Sequence, residues 1–125
     1  MLRKVNQRHT GIFSSMIGDE TTPMQWAVIA KLRERGPLSQ NLLGRETAMD
    51  AATVKGVVDR LTKRGTVVTA ADARDQRRLK VSLTPAGMKL AGQLVAHAFA
   101  ITEATLSPLD ARERKQLLVL LTKIA

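Results

Sequence analysis

The chain contains no cysteine and no tyrosine, and its 125 residues include only one tryptophan and two phenylalanines. The lack of cysteine excludes disulfides, thiolate metal ligands, cysteine nucleophiles and thiol-based redox sensing. The shortage of aromatic side chains argues against the stacking surfaces by which many proteins bind single-stranded DNA or RNA. Duplex DNA is therefore the preferred target for a chain of this composition that binds nucleic acid.

Acidic residues are also scarce, since 20 Lys and Arg stand against 11 Asp and Glu and give a formal net charge of +9. This excess predicts an anionic partner, most simply nucleic-acid phosphate. No run of about 18 apolar residues occurs, and the basic residues are widely spread, so we expect no membrane partner. The basic N-terminus lacks the long apolar segment of a secretory signal; an amphipathic transit peptide is a minor alternative. The length suits one domain or one subunit of an assembly.

No catalytic or metal-binding constellation is recognisable. His9 and His97 are the only histidines, and they stand far apart without the spacing of metal ligands. A glycine-rich phosphate loop and a Gly-x-Ser-x-Gly nucleophile elbow are both absent. We therefore expect no enzyme, no metal and no cofactor.

Amphipathic helices are predicted at both ends of the chain. Apolar residues recur at spacings of three and four from Leu2 to Met16, and Gly18 ends this stripe. Thr84-Pro85 predicts the start of a long helix, and Ser107 is the predicted N-cap of a last, leucine-rich helix. So many apolar faces cannot all be buried on a small domain, which predicts a two-fold dimer. An intramolecular helical subdomain is the alternative.

The middle of the chain carries the cap signals of a helix-turn-helix. Thr22-Pro23-Met24-Gln25 predicts a capping box, and the helix that it begins ends at Gly36-Pro37. Trp26, Ile29, Ala30 and Arg33 are predicted to share one face of this helix, with Val28 and Leu32 beside it. Ser39 and Asp50 are the predicted N-caps of two further helices joined by a tight turn. The second of these buries Val54, Val57, Val58 and Leu61, and its opposite face collects Ala52, Thr53, Lys55, Gly56, Asp59, Arg60 and Lys63.

An arginine-rich tip follows this helix between two short apolar segments. Val67-Val68 and the alternating residues 79–83 predict the two strands of a β-hairpin. Arg74, Arg77 and Arg78 at its tip repel one another and contribute nothing to folding, so we expect them to contact phosphate. A solvated polar loop is the alternative interpretation.

Several motifs follow one another in a fixed order. The hairpin contains Asp72, Asp75 and Arg77, then Val81, Leu83, Thr84 and Gly87. Upstream lie Thr22-Pro23-Met24-Gln25-Trp26, Val58-Asp59-Arg60-Leu61 and Lys63-Arg64-Gly65. Together they resemble the MarR family of transcriptional regulators over nearly the whole chain, whose wing is close to Asp-Pro-x-Asp-x-Arg followed by Val-x-Leu-Thr-x-x-Gly. Three departures are Ala73 for the usual Pro, Gln76 for a frequent Arg, and Gly56 where a larger polar residue is common.

The resemblance implies a mainly α fold with a small β-hairpin wing, a winged helix-turn-helix with N- and C-terminal dimerisation helices. Residues 1–125 would form one domain, with a DNA-binding lobe at about 22–84 and dimerisation helices at 1–18 and 85–125. It further implies a cytoplasmic, nucleoid-associated homodimer that binds a pseudo-palindromic double-stranded DNA operator, as a repressor where the operator overlaps a promoter.

The resemblance also assigns residues to the DNA. The helix from Asp50 to Arg64 would enter the major groove, with Ala52, Thr53 and Lys55 near base edges and Gly56 beside them. Arg77 would lie in or beside the minor groove, its guanidinium held by Asp75. The expected phosphate contacts are Ser39, Arg60, Lys63, Arg74 and Arg78.

Relatives typically release DNA when a small phenolic or aromatic acid enters between the dimerisation helices and the DNA-binding lobe. His9 lies in the first apolar stripe, and Arg3, Arg8 and Trp26 are its expected neighbours. An imidazole and guanidiniums beside an apolar wall would suit such an effector. A histidine satisfied at an interface is the alternative and the more frequent case.

Two other functions fit parts of the pattern. A sequence-neutral architectural DNA-binding protein would use the positive charge alone, and it would bind all duplexes with a large salt dependence. A winged-helix module that binds only proteins would fail to bind duplex DNA at physiological salt.

Overall fold

Six helices and three short strands follow one another in the computed structural model, which describes residues 1–125. The helices are α1 Leu2–Ile17, α2 Pro23–Arg35, α3 Gln40–Glu46, α4 Ala51–Lys63, α5 Pro85–Leu106 and α6 Ala111–Ile124. The strands are β1 Leu38–Ser39, β2 Val67–Ala71 and β3 Leu79–Leu83. The predicted mainly α fold with a β-hairpin wing is confirmed.

Four of the five helices with a predicted N-cap begin at that residue. The Thr22 hydroxyl accepts a hydrogen bond from the N–H of Gln25 at 3.1 Å, and Gln25 Oε1 accepts one from the N–H of Thr22 at 3.2 Å. Ser39, Asp50 and Thr84 make a single cap bond instead, each side chain accepting from the N–H three residues later. The prediction that Ser107 caps α6 is wrong, because Asp110 forms the capping box with Glu113 while the Ser107 hydroxyl donates to a carbonyl at the end of α5.

The sheet has one strand more than the hairpin predicted from the sequence. β3 lies between β1 and β2 and is antiparallel to both. Leu38 of β1 is opposite Val81, and Val67 of β2 is opposite Leu83. A strand of two residues is too short to show a period of two in the sequence. Its pairing joins the start of α3 to the base of the wing, by which we mean residues 67–83.

The core lies between α2, α3, α4 and the sheet. The predicted buried face of α4 is confirmed, since Val54, Val57, Val58 and Leu61 are at most 3% exposed. Gly65 then follows the end of α4 with a φ of 74°, in the left-handed region that favours glycine. Gly87, at the end of the wing motif, is needed for another reason, because a Cβ there would overlap the backbone of Thr66.

The buried face of α2 is shifted from the predicted face toward the two residues expected beside it. The structure buries Val28, Ile29 and Leu32 against the core and leaves Arg33 exposed. Trp26 is only partly buried, and it borders a cavity together with residues of α1 and α5. α2 is thus covered on one side by the core and on another by α1 and α5. A single apolar stripe predicts contact on one side only.

The terminal helices leave apolar side chains uncovered. α1 packs along α5, where Phe13 and Ile101 are buried. No residue of α6 is buried, although the helix is rich in leucine. The exposed large apolar residues of the three terminal helices include Leu2, Val5, Phe99, Leu118, Val119, Leu120 and Ile124. None of the six helices has the length and apolar character needed to cross a membrane.

Candidate nucleic-acid interface

The turn between α3 and α4 fixes the direction in which α4 leaves the core. Ala48 has a φ of 55°, in the left-handed region, and the N–H of Met49 donates to the carbonyl of Gly44 at 2.8 Å. A Cβ on Gly44 would lie 3.1 Å from the carbonyl oxygen of Met49 and 3.2 Å from a methyl carbon of Val54. The two helices therefore approach too closely for a larger residue at position 44.

The first turn of α4 is held by its N-cap. Asp50 Oδ1 accepts a hydrogen bond from the N–H of Thr53 at 2.7 Å. This backbone hydrogen bond is the main cause that lowers the pKa of Asp50 below its ordinary value. The carboxylate is therefore charged at neutral pH and favourable at the positive end of the helix. The cap orders the turn that contains Ala52 and Thr53, both predicted to approach base edges.

The outer face of α4 carries the other predicted contacts in accessible positions. Ala52, Lys55, Arg60 and Lys63 are exposed, and Thr53 and Gly56 are partly exposed. A Cβ on Gly56 would meet only the Arg60 guanidinium, at 4.0 Å. Packing within the chain therefore does not require a glycine there. Without a side chain at this position, a partner can approach the helix backbone more closely.

Lys55 is paired within its own helix. Its Nζ lies 2.8 Å from Asp59 Oδ2, one turn further along. Both side chains are more than half exposed, so solvent screens the pair and it contributes only about 0.3–0.5 kcal/mol. Lys55 can thus leave Asp59 at low cost when a phosphate or a base acceptor competes for it.

Two carboxylates order the backbone of the wing tip. Asp72 Oδ1 accepts from the N–H of Arg74, and Asp75 Oδ1 accepts from the N–H of Arg77, each at 3.0 Å. The hydrogen bond from Arg74 is the main cause that lowers the pKa of Asp72, and Lys80 adds to it from 3.5 Å. These contacts are Asx-type turns, in which a side chain bonds the backbone two residues later.

The expectation that Asp75 holds the guanidinium of Arg77 is not met in this structure. Asp75 engages the backbone of Arg77 instead, and its Oδ2 lies 4.0 Å from Nε of Arg78. No ion pair in the chain includes Arg74 or Arg77. The tip therefore presents exposed cations on an ordered backbone.

A polar cleft of about 440 Å³ separates the wing from α3. Its lining comprises Ser39, Gln40, Asn41, Arg45, Arg77, Arg78 and Leu79. Three of these, Ser39, Arg77 and Arg78, are predicted DNA contacts. Ser39 Oγ accepts from the N–H of Leu42 at 3.2 Å, which leaves its hydroxyl proton free to donate.

Gln40, Asn41 and Arg45 are residues of this cleft that the sequence interpretation missed. Asn41 and Arg45 also line a second cleft of about 330 Å³ together with Ala51 at the start of α4. Through the shared residues Asn41 and Arg45, the wing, α3 and the start of α4 thus form one continuous surface, which we call the α3–wing surface. A polar pair four residues apart, directly after an N-cap, is the signal that could have identified Asn41 and Arg45.

The second predicted site lies where α1, α2 and α5 meet. A cavity of about 280 Å³ is lined by His9, Phe13, Pro23, Trp26, Ala27, Ala98, Ile101 and Thr102. The structure thus brings His9 and Trp26 together, as expected. Nδ1 of His9 lies 2.9 Å from the Thr105 hydroxyl, which leaves Nε2 as the uncommitted ring nitrogen.

The two arginines expected beside His9 are not part of this cavity. Arg8 donates to the carbonyls of Ala104, at 3.0 Å, and Thr105. Arg3 is exposed and does not line the cavity. Arg8 is drawn to these carbonyls because they lie near the C-terminal end of α5, where the helix dipole places partial negative charge.

A short helix, a tight turn, an outward-facing helix and a basic β-hairpin define a winged helix-turn-helix DNA-binding protein. The model of the MarR family matches residues 20–78. The HTH-type transcriptional repressor NicR of Pseudomonas putida is 39% identical over 99% of this chain and 79% of its own length. The chain therefore belongs to the MarR family of transcriptional regulators, whose members are non-enzymatic DNA-binding proteins.

Two solved structures are similar over nearly their full lengths. A probable transcriptional regulator from Pseudomonas aeruginosa is 49% identical, with a TM-score of 0.91 and coverage of 99% of this chain and 93% of the other. BpsR of Bordetella bronchiseptica is 37% identical, with a TM-score of 0.93 and coverage of 98% and 89%. The DNA binding of BpsR is regulated by 6-hydroxynicotinic acid.

Proposed function

We propose that this regulator is a repressor that binds a pseudo-palindromic operator as a homodimer and leaves it when a small aromatic acid binds. The α3–wing surface is the observation that carries the proposal, because exposed cations lie there beside an outward-facing helix. A surface of this charge and shape suits the backbone and grooves of duplex DNA. The place of action is then the nucleoid in the cytoplasm.

The uncovered apolar residues of α1, α5 and α6 support the homodimer. Leu2, Phe99, Leu118 and Ile124 are each 64–74% exposed. An apolar face of this extent on a single chain marks an interaction surface, and a stable interface buries about 800 Å² on each partner. The dimerisation segments would be residues 1–18 and 85–125, and the DNA-binding lobe residues 22–84. A two-fold axis would then place two copies of α4 about 34 Å apart, one turn of DNA.

Within each lobe, α4 is the helix that would enter the major groove. The small side chain of Ala52 and the glycine at position 56 would let the helix backbone approach the base edges, and Thr53 and Lys55 would make polar contacts there. Arg77 would enter the minor groove from the wing. The phosphate contacts would come from Ser39, Arg60, Lys63, Arg74 and Arg78, with Asn41 and Arg45 added from the α3–wing surface.

The cavity between α1, α2 and α5 supports an effector of the size of one aromatic ring. Its wall is mainly apolar, with Phe13, Trp26 and Ile101, and its polar groups include His9. Such a combination of an apolar wall and few polar groups is typical of small-molecule sites. A carboxylate on the ring could pair with Nε2 of His9. The regulation of BpsR by 6-hydroxynicotinic acid makes that compound the first one to test.

Selection of bound duplexes from a random pool tests the DNA-binding part of the proposal. A repressor of this kind should enrich a pseudo-palindrome whose half-sites lie about one helical turn apart. The enriched duplex and a shuffled duplex of the same composition are then compared by fluorescence anisotropy at fixed salt. Equal affinities for the two duplexes would favour the sequence-neutral architectural protein instead.

A further inference from the structure

Arg64, directly after α4, joins that helix to the turn between α1 and α2. Its Nη1 donates to the backbone carbonyl of Glu20 at 2.7 Å and to Gln25 Oε1 at 3.0 Å, while Nη2 lies 3.5 Å from the Thr21 hydroxyl. All three partners are about 40 residues away in sequence, and Thr21 is buried. A single side chain thus connects the end of the DNA-reading helix with the start of α2.

Gln25 belongs to two hydrogen-bonded structures at once. Its Oε1 accepts from Arg64 and also from the N–H of Thr22, which is half of the capping box of α2. The residue is only 8% exposed, so solvent offers few alternative partners. A buried carbonyl oxygen that accepts two hydrogen bonds has both lone pairs in use. The first turn of α2 and the end of α4 are therefore oriented around one atom.

The same turn of α2 forms a wall of the His9 cavity. Pro23 and Trp26 line that cavity, and Pro23 also lines a neighbouring one of about 250 Å³ beside Thr21 and Thr22. Gln25 lies between Pro23 and Trp26 in sequence but points to the other side, toward Arg64. A displacement of this cavity wall must therefore move the acceptor on which Arg64 depends.

We propose that Arg64 is a positioning residue for DNA binding, which sets the angle of α4 by anchoring its C-terminal end to Gln25 and the α1–α2 turn. Arg60 and Lys63 lie in the adjoining last turn of α4, so their phosphate contacts require that angle. The inference rests on the proposed function, and it supplies a route by which the cavity wall and the DNA-reading helix move together.

A direct contact of Arg64 with DNA phosphate is the competing explanation, and charge-conserving variants separate the two. Arg64→Lys retains the positive charge but replaces the planar fork that reaches three acceptors by one ammonium group. Gln25→Ala removes the Oε1 that accepts from Arg64, and Gln25 lies outside the α3–wing surface. Gln25→Glu retains an acceptor for both Arg64 and the capping box. Thr22→Ala breaks the other half of the box and leaves both Arg64 bonds at Nη1.

The experiment is a double-mutant cycle on the affinity for the enriched and shuffled duplexes, measured by fluorescence anisotropy at fixed salt. Arg64→Lys and Gln25→Ala should each weaken operator binding about tenfold, on the scale of a hydrogen bond to a charged group. The double variant should bind no more weakly than either single variant, because both remove the same bond. Gln25→Glu should retain wild-type affinity, and Thr22→Ala should lower the Tm without changing the affinity.

The outcomes separate this inference from the proposed function. Wild-type affinity in Arg64→Lys, which alters an exposed residue and leaves the core intact, would overturn the inference. Fully additive effects of Arg64→Lys and Gln25→Ala would also overturn it. In both cases the wild type would still bind the enriched duplex more tightly than the shuffled one, so the proposed function would stand. A wild type without that preference would instead overturn the proposed function and this inference with it.

Discussion

Arg77→Ala tests most directly whether the wing reads DNA. Arg77 is exposed and forms no ion pair, and the Asp75 carboxylate holds its backbone rather than its guanidinium. Alanine retains the N–H that Asp75 binds, so the turn at the tip should persist. We expect the free energy of unfolding to change by less than about 0.5 kcal/mol, as for most exposed positions. A change in DNA affinity would then report a contact with DNA and not a loss of folding.

The expected loss of operator affinity follows from the type of contact. A good base-edge contact is worth about 1–3 kcal/mol, which corresponds to a factor of about 5 to 150 in Kd. If Arg77 reads the base sequence, Arg77→Ala should weaken binding mainly to the enriched duplex. By contrast, Arg74→Ala should weaken binding to all duplexes and reduce the salt slope by about 0.9, the value for one lost phosphate contact.

Fluorescence anisotropy with both duplexes, repeated at several salt concentrations, measures these effects. Gln76→Ala is the matched control, because Gln76 lies next to Arg77 on the exposed tip and carries no charge. We expect this control to bind both duplexes like the wild type. Equal affinities of Arg77→Ala and the wild type for the enriched duplex would refute the reasoning about the wing.

The remaining predictions concern α4, the His9 cavity and the terminal helices. Asp59→Asn releases Lys55 from its ion pair and removes a negative charge, so binding to both duplexes should tighten by about twofold to fivefold with little change in Tm; an unchanged anisotropy titration would contradict this. His9→Ala should abolish release of the operator by the proposed aromatic-acid effector, for which 6-hydroxynicotinic acid is the first compound to test, and leave DNA binding intact; a variant that still releases DNA would exclude His9 as an effector contact. Leu120→Glu places a charge on the uncovered face of α6, so sedimentation should show a monomer that binds the operator weakly; a stable dimer would show that this face lies outside the interface.

The helix starts could be predicted from the sequence because capping is local. An N-cap at Thr22, Ser39, Asp50 or Thr84 bonds an N–H only three residues later, so neighbouring residues suffice to identify it. The same reasoning placed the N-cap of α6 at Ser107, three residues before the observed cap. Asp110 has Glu113 at the third helical position and completes a capping box, which Ser107 does not.

Three further features that the sequence interpretation missed depend on contacts between distant segments. β1 is a strand only because Leu38 and Ser39 pair with β3, more than 40 residues later. Arg8 was expected beside His9, but its guanidinium reaches carbonyls of α5. Periodicity assigned one apolar face to α2, whereas the core covers one side and the His9 cavity borders another. Such contacts are settled by how the helices pack, which no local pattern contains.

The short strand β1 has a consequence for how each lobe meets DNA. Because β1 pairs with β3 and leads directly into α3, the wing cannot swing away from the helix-turn-helix without breaking backbone hydrogen bonds. The distance between α4 and the wing, and with it the spacing of the two grooves that they are proposed to enter, is therefore fixed within one lobe. We expect any adaptation to a differently spaced operator, or to an effector, to occur as a rotation between two rigid lobes.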